Sequence, residues 1–310
     1  HLLRRDDLLR RVSRLDVDPL TRLGAAASAL GITGFTDATP DGGADDAREL
    51  ARDLRAAGVE QSLVLMGPVG ATAPDEPRTA LGPVKVLLDD HALPSLDDLV
   101  ATISAAHAEQ RAVAVHCVTR VQLVLTLVAL ESAGGAPGDR IEHGSVIPHE
   151  LIGRLAELGA TVVTQPHFVA ERGDEYLDTV DVDDIDSLYR LRSLQRAGVA
   201  VAAGTDAPFG AFDPWASVAA AIDRTTRRGH VLGADERVSA REALDLYLGQ
   251  PHAPGRRRAI DPGAPADLCV LGQPMRAVAS AVGPPEVRAT VMAGRLVSSP
   301  GVERNLHLEL

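Results

Sequence analysis

The sequence predicts an α/β protein, with parallel strands joined by crossover helices and a small β appendage at the end. Three observations support this. Short β-branched runs alternate with longer amphipathic stretches through the middle of the chain, as βα units do. Polar residues that end successive runs recur at about 30 residues, the length of one such unit. After about residue 250 the alternation stops, and Pro, Gly and Arg crowd 251–263 before two short strand-like pieces. An open doubly wound sheet and a closed (β/α) barrel both fit. No phosphate-binding glycine fingerprint follows a strand, since Gly67-Pro68-Val69-Gly70 has the wrong spacing, and this counts against a dinucleotide fold.

Taken in order, the strand-like runs are 32–37, 62–66, 84–88, 112–117, 140–143, 161–165 and 199–204. Most are rich in Val, Ile, Leu and Ala, as strands buried on both faces require. Helix-like stretches cover 45–57, 95–110, 120–132, 148–158, 183–197 and 214–228. Ser95 and Asp213 are good helix starts, the latter followed by Pro214. The acidic, weakly periodic stretch 170–186 reads as an active-site loop. In the tail, 267–271 and 287–297 read as strands, with a turn at Ala293-Gly294.

Composition narrows the function. The chain has 310 residues, 45% of them apolar, enough for one barrel or two smaller domains. A net charge of −12 and a single short basic run, Arg256-Arg257-Arg258, argue against a nucleic-acid partner. Mean hydropathy is +0.02, and no apolar run approaches the roughly 18 residues of a membrane helix. Cys117 and Cys269 lie far apart in apolar runs and read as reduced core thiols. No cationic stretch leading into an apolar one opens the chain, so a cytoplasmic location is expected. The basic residues are 30 arginines and one lysine, Lys85. A lysine that persists against such a bias suggests a task for an amine, because arginine keeps its charge at any accessible pH.

Parallel α/β folds collect chemistry at the C-terminal ends of their strands. Those ends carry Asp37, Lys85, His116, His143, Gln165 and Asp206. An ionisable group there must leave water, so it needs a partner or a metal. Any one of them alone reads more simply as a hydrogen-bonding residue. In series, two imidazoles and a carboxylate make a site for zinc or a similar divalent ion.

Several strings resemble the amidohydrolase superfamily, in particular its family 3 branch. They are Val84-Lys85-Val86-Leu87-Leu88-Asp89, Ala114-Val115-His116, Arg140-Ile141-Glu142-His143-Gly144 and Ala203-Gly204-Thr205-Asp206-Ala207-Pro208. Asp261-Pro262-Gly263-Ala264-Pro265-Ala266-Asp267-Leu268 and Thr290-Val291-Met292-Ala293-Gly294-Arg295-Leu296-Val297 are similar to its closing motifs. The resemblance runs over roughly residues 30–298. It implies a (β/α)8 TIM-type barrel over 1–250, with its first strand missing or incomplete, and a C-terminal β-sandwich portion over 251–310. It also implies that Lys85 is N-carboxylated and bridges two metal ions, with zinc expected, and that His116 and His143 hold the second. Asp206 would bind the first ion and move the proton. Gln165, His167 and the 170–186 stretch would lie near a small-molecule substrate. From the residues themselves, Arg190, beside Tyr189, is a candidate for a substrate carboxylate.

The family's H-x-H pair at the end of strand one has no counterpart within the chain, and unit spacing puts that strand ahead of residue 1. His1, followed by Leu2-Leu3, is a candidate for the second histidine of the pair or an accidental end residue. The expected activity is hydrolysis of an amide-type, non-peptide C–N bond. Deamination, ester or lactone hydrolysis at the same site, and an inactive barrel that serves as a binding module, are the alternatives. A homo-oligomer is compatible with the sequence.

Overall fold

A computed structural model of the chain describes residues 17–40, 42–274 and 285–298. His1 lies outside the described residues. Seven strands form one parallel sheet in which spatial order equals chain order. They are β1 (Gly34–Asp37), β2 (Ser62–Gly67), β3 (Thr79–Val86), β4 (Val113–Cys117), β5 (Arg140–His143), β6 (Thr161–Thr164) and β7 (Val201–Ala203). Each pairs only with its chain neighbours among the described residues, so β1 and β7 are open edges of an incomplete TIM-type barrel.

Helices cover the outer face. α1 (Val17–Ala29) precedes β1, and α2 (Asp46–Ala56), α3 (Leu96–Ala108), α4 (Arg120–Ala133) and α5 (Ile152–Leu158) follow in crossover positions. Between β6 and β7 lie α6 (His167–Thr179), α7 (Val182–Ile185) and α8 (Arg192–Arg196); α9 (Pro214–Asp223) and α10 (Ala240–Asp245) follow β7. The expected starts hold. Ser95 Oγ accepts from the Asp98 amide at 3.1 Å, and the Asp213 carboxylate accepts from the Trp215 amide at 2.8 Å, satisfying amides that have no partner within the helix.

The period-2 alternation of the strands sorts their residues. Val113, Val115 and Cys117 on β4 join Val84, Ile141 and Val162 in a core sealed by Ile103, Leu123, Leu127 and Leu155 from the helices. Each fully buried aliphatic side chain contributes roughly 1.5–3 kcal/mol. Their neighbours Lys85, Ala114, His116, Arg140 and Glu142 therefore face the barrel interior.

The tail forms two small antiparallel sheets. One joins β8 (Gly249–Gln250) to β9 (Ala253–Arg257); the other joins β10 (Leu268–Leu271), β11 (Val287–Met292) and β12 (Arg295–Ser298). Ala293 and Gly294 make the β11–β12 turn with φ of 49° and 79°, as a tight hairpin demands.

Four expectations are corrected. The stretch 170–186 is not a loop: α6 and α7 occupy most of it, because Phe168, Val169 and Gly173 bury one helical face. The single helix expected over 183–197 is broken in two where Tyr189 takes φ +46° and its amide bonds to Ser145 O at 2.9 Å. The segment 251–263, noted only as a Pro-, Gly- and Arg-rich break before the tail strands, carries β9. Cys269 is exposed on β10, whereas Cys117 is buried. Among the described residues no helix is long and apolar enough to cross a membrane.

Candidate active site

The interior-facing residues at the C-terminal strand ends open into a cavity of about 3770 Å³. Lys85 (β3), His116 (β4), His143 (β5), Gln165 just past β6 and Asp206 just past β7 all line it. The His116 and His143 rings meet edge to face with centroids 4.5 Å apart. His143 Nδ1 lies 2.9 Å from Gln165 Oε1 and 3.9 Å from Asp206 Oδ2. A glutamine oxygen only accepts, so this contact assigns the proton to Nδ1 and leaves the Nε2 lone pair open. Lys85 is half-buried, with no hydrogen bond or ion pair among the described residues, yet its charge is felt at Asp206.

Two backbone features mark the site. His143 and Asp206 hold φ of 68° and 52°, in the left-handed region that residues with a Cβ seldom enter. Burial pushes the Asp206 carboxyl above its ordinary pKa, partly offset by the charges of His143 and Lys85. The Cys117 thiol on the other face of β4 is pushed up to about 12 by burial, so it stays protonated.

The other candidates separate clearly. His167 is buried behind the mouth, not in it. Its Nε2 is 3.0 Å from Thr205 O, and Nδ1 has no partner; burial lowers its pKa, so the ring is neutral and donates to Thr205 O. Arg190 is not among the cavity-lining residues: it donates to Ile147 O at 2.6 Å and to Glu236 Oε1 at 3.0 Å. Asp37 accepts from the amide and hydroxyl of Thr39, a local turn.

Sequence reasoning missed Arg172 and Tyr176 on α6, both of which line the cavity. Their signal was hidden in a stretch taken for a loop. Tyr176 Oη is 2.9 Å from Tyr189 Oη, which in turn accepts from Ser145 Oγ at 3.1 Å. Arg224, fully buried, holds the Leu188 and Tyr189 carbonyls at 3.0 and 2.8 Å and so fixes that wall.

Two imidazoles, one carboxylate and one amine around a single mouth suit a divalent ion in donor chemistry. No three His, Cys, Asp or Glu side chains stand together as a metal-ligand group among the described residues, so a closed ligand set needs Lys85, or a further residue, as well.

The family model for the amidohydrolase family matches residues 7–298. YtcJ of Bacillus subtilis (strain 168), whose name assigns it provisionally to the amidohydrolases, is 29% identical over 205 residues, 63% of this chain and 39% of its own length. N-substituted formamide deformylase of Arthrobacter pascens is 33% identical over 137 residues, 43% of this chain and 25% of its own length. The matched stretches thus span well under half the length of those relatives. Among solved structures, an uncharacterized metal-dependent hydrolase from Pyrococcus horikoshii OT3 superposes with a TM-score of 0.63 at 20% identity, over 75% of this chain and 55% of that one. At that identity the likeness speaks for the fold. The family match, by contrast, covers nearly the whole chain: it belongs to the amidohydrolase family, in its family 3 branch.

Proposed function

We propose that this chain is a metal-dependent hydrolase that opens an amide-type, non-peptide C–N bond in a small-molecule substrate. The observation that supports this best is that His143 contacts His116 on one side and approaches Asp206 on the other, in a strand-end cavity that Lys85 also lines. Lys85, His116, His143 and Asp206 would hold the ion, zinc being the choice such donors favour, and Lys85 would do so as its carbamate. When bound, the ion supplies a Lewis acid and acidifies water. Asp206 takes a proton from the attacking water and returns it to the leaving nitrogen, a task suited to a carboxyl whose proton affinity burial has raised. Gln165 orients the His143 ring through Nδ1. His167 anchors the Thr205 carbonyl directly before Asp206 and so steadies the base without touching substrate.

The test is metal content by plasma mass spectrometry, with intact mass in bicarbonate buffer. We expect about one to two divalent ions per chain and a carboxylated Lys85. Lys85→Arg keeps the charge but cannot form the carbamate, so it should lose metal and amide hydrolysis together. A chain that takes up no metal after reconstitution would sink the proposal and favour the binding-module alternative.

A further inference from the structure

The chain has eight aromatic residues, and all of them line this cavity. Four gather on the wall formed by α6 and the segments facing it. Phe168 meets Tyr189 edge to face at 6.0 Å, Tyr176 stacks on Tyr189 at 5.6 Å, and Phe209, on the loop that carries Asp206, lines the same cavity with 38% of its surface exposed. Arg172 stands in this wall. Its guanidinium carbon sits 4.6 Å over the Phe168 ring, and Nη2 donates to the Phe209 carbonyl.

Arg172 differs from several of the chain's other arginines. Arg120, Arg154, Arg190 and Arg192 each hold a carboxylate, whereas among the described residues none lies within ion-pair distance of Arg172. A guanidinium stacked on a ring keeps its in-plane N–H groups available, and their fork matches a carboxylate. Arg172 and Asp206 line the same cavity, and Arg172 bonds the carbonyl of Phe209, three residues beyond Asp206, so an anion held there lies beside the loop that carries Asp206.

Resting on the amidohydrolase reading, we propose that Arg172, braced on the Phe168 ring, anchors a carboxylate of the substrate while the exposed Phe209 flanks an apolar or aromatic group beside it. The substrate class is then an anionic amide, such as an N-acylated aromatic amino acid, in preference to a neutral one.

The probes are N-acetylphenylalanine and its neutral C-terminal amide. Binding is titrated calorimetrically on the Asp206→Asn chain, so that neither is consumed, and turnover of both is followed on the unaltered protein. The acid should bind roughly ten- to a hundredfold tighter than the amide. Arg172→Gln, which keeps a donor for Phe209 O, should bring that ratio to about one, and Arg172→Lys should keep part of it. A variant that merely loosens the loop lowers both ligands together and leaves the ratio intact. Equal binding, no binding of either probe, or a ratio that survives Arg172→Gln overturns the proposal. A preserved preference without turnover removes the hydrolase reading and leaves the anion site standing; turnover without preference does the reverse.

Discussion

Asp206 carries two burdens at once: a left-handed backbone and a carboxylate withdrawn from water. Each such backbone conformation costs on the order of 1–3 kcal/mol where the side chain is not Gly, though Asp and Asn bear it best. Because burial raises the folded-state pKa, the folded protein holds this proton more tightly than the unfolded chain does. The stability contributed by the neutral form is therefore full at low pH and is lost as pH rises from the ordinary carboxylate range through the raised value. Asp206→Asn keeps the shape and removes the charge. Measured with a chelator present, its melting temperature at neutral pH should equal or exceed that of the unaltered chain, and its decline with rising pH should be shallower. Its kcat should fall by about 10²–10⁴-fold, the usual loss when a positioned proton carrier is removed. A large drop in melting temperature would mean that Asp206 is structural.

At the scale of elements, α6 and the loop after β7 behave as one piece. His167 holds Thr205 O, Arg172 holds Phe209 O, and Glu171 Oε1 accepts from the Ala211 amide at 3.1 Å. Gly210 closes the seam: a Cβ there would lie 2.3 Å from His167 Nε2 and 2.5 Å from Thr205 O. Gly210→Ala must push the ring off its carbonyl or lift the loop, at about 1–3 kcal/mol for overpacking. Because Asp206 rides on that loop, turnover should fall at least tenfold, a loss that a 1 Å displacement of catalytic groups readily causes. Unchanged turnover in Gly210→Ala would show the clamp to be irrelevant to Asp206. None of this was legible in the sequence. Strand ends were, because buried parallel strands announce themselves as apolar runs and their last polar residue stands out. Lys85, His116, His143 and Asp206 stood out that way, and all four line the cavity. A helix such as α6, charged on its solvent side and pinned by side chain-to-carbonyl bonds, leaves almost no periodic trace. Arg190 misled for the opposite reason, since its partner Glu236 lies 46 residues further along the chain.

For the molecule as a whole, the sheet leaves β1 and β7 unpaired with each other, and side chains bridge the opening. Trp215 Nε1 on α9 donates to Leu30 O just after α1 at 3.0 Å, and Phe212 meets Phe35 of β1 with ring centroids 6.0 Å apart. The C-terminal sheet locks the same corner from the other side, where Thr290 Oγ1 donates to Ser28 O at 2.6 Å. Asp267, legible only as part of a motif, accepts from Arg78 at 3.0 Å and from the Ala293 amide at 2.8 Å, tying the hairpin to β3. The β1 edge therefore depends on a few long-range contacts while β4 and β5 lie between paired neighbours. Trp215→Phe keeps most of the apolar bulk and deletes the donor, so it should cost about 1 kcal/mol. That corresponds to a melting temperature lower by about 2–4 °C. The loss should be local: amide hydrogen exchange should accelerate across Gly34–Asp37 and at the end of α1 while Val113–Cys117 and Arg140–His143 stay protected. Uniform acceleration, or none, would mean that the opening is closed by contacts other than this indole.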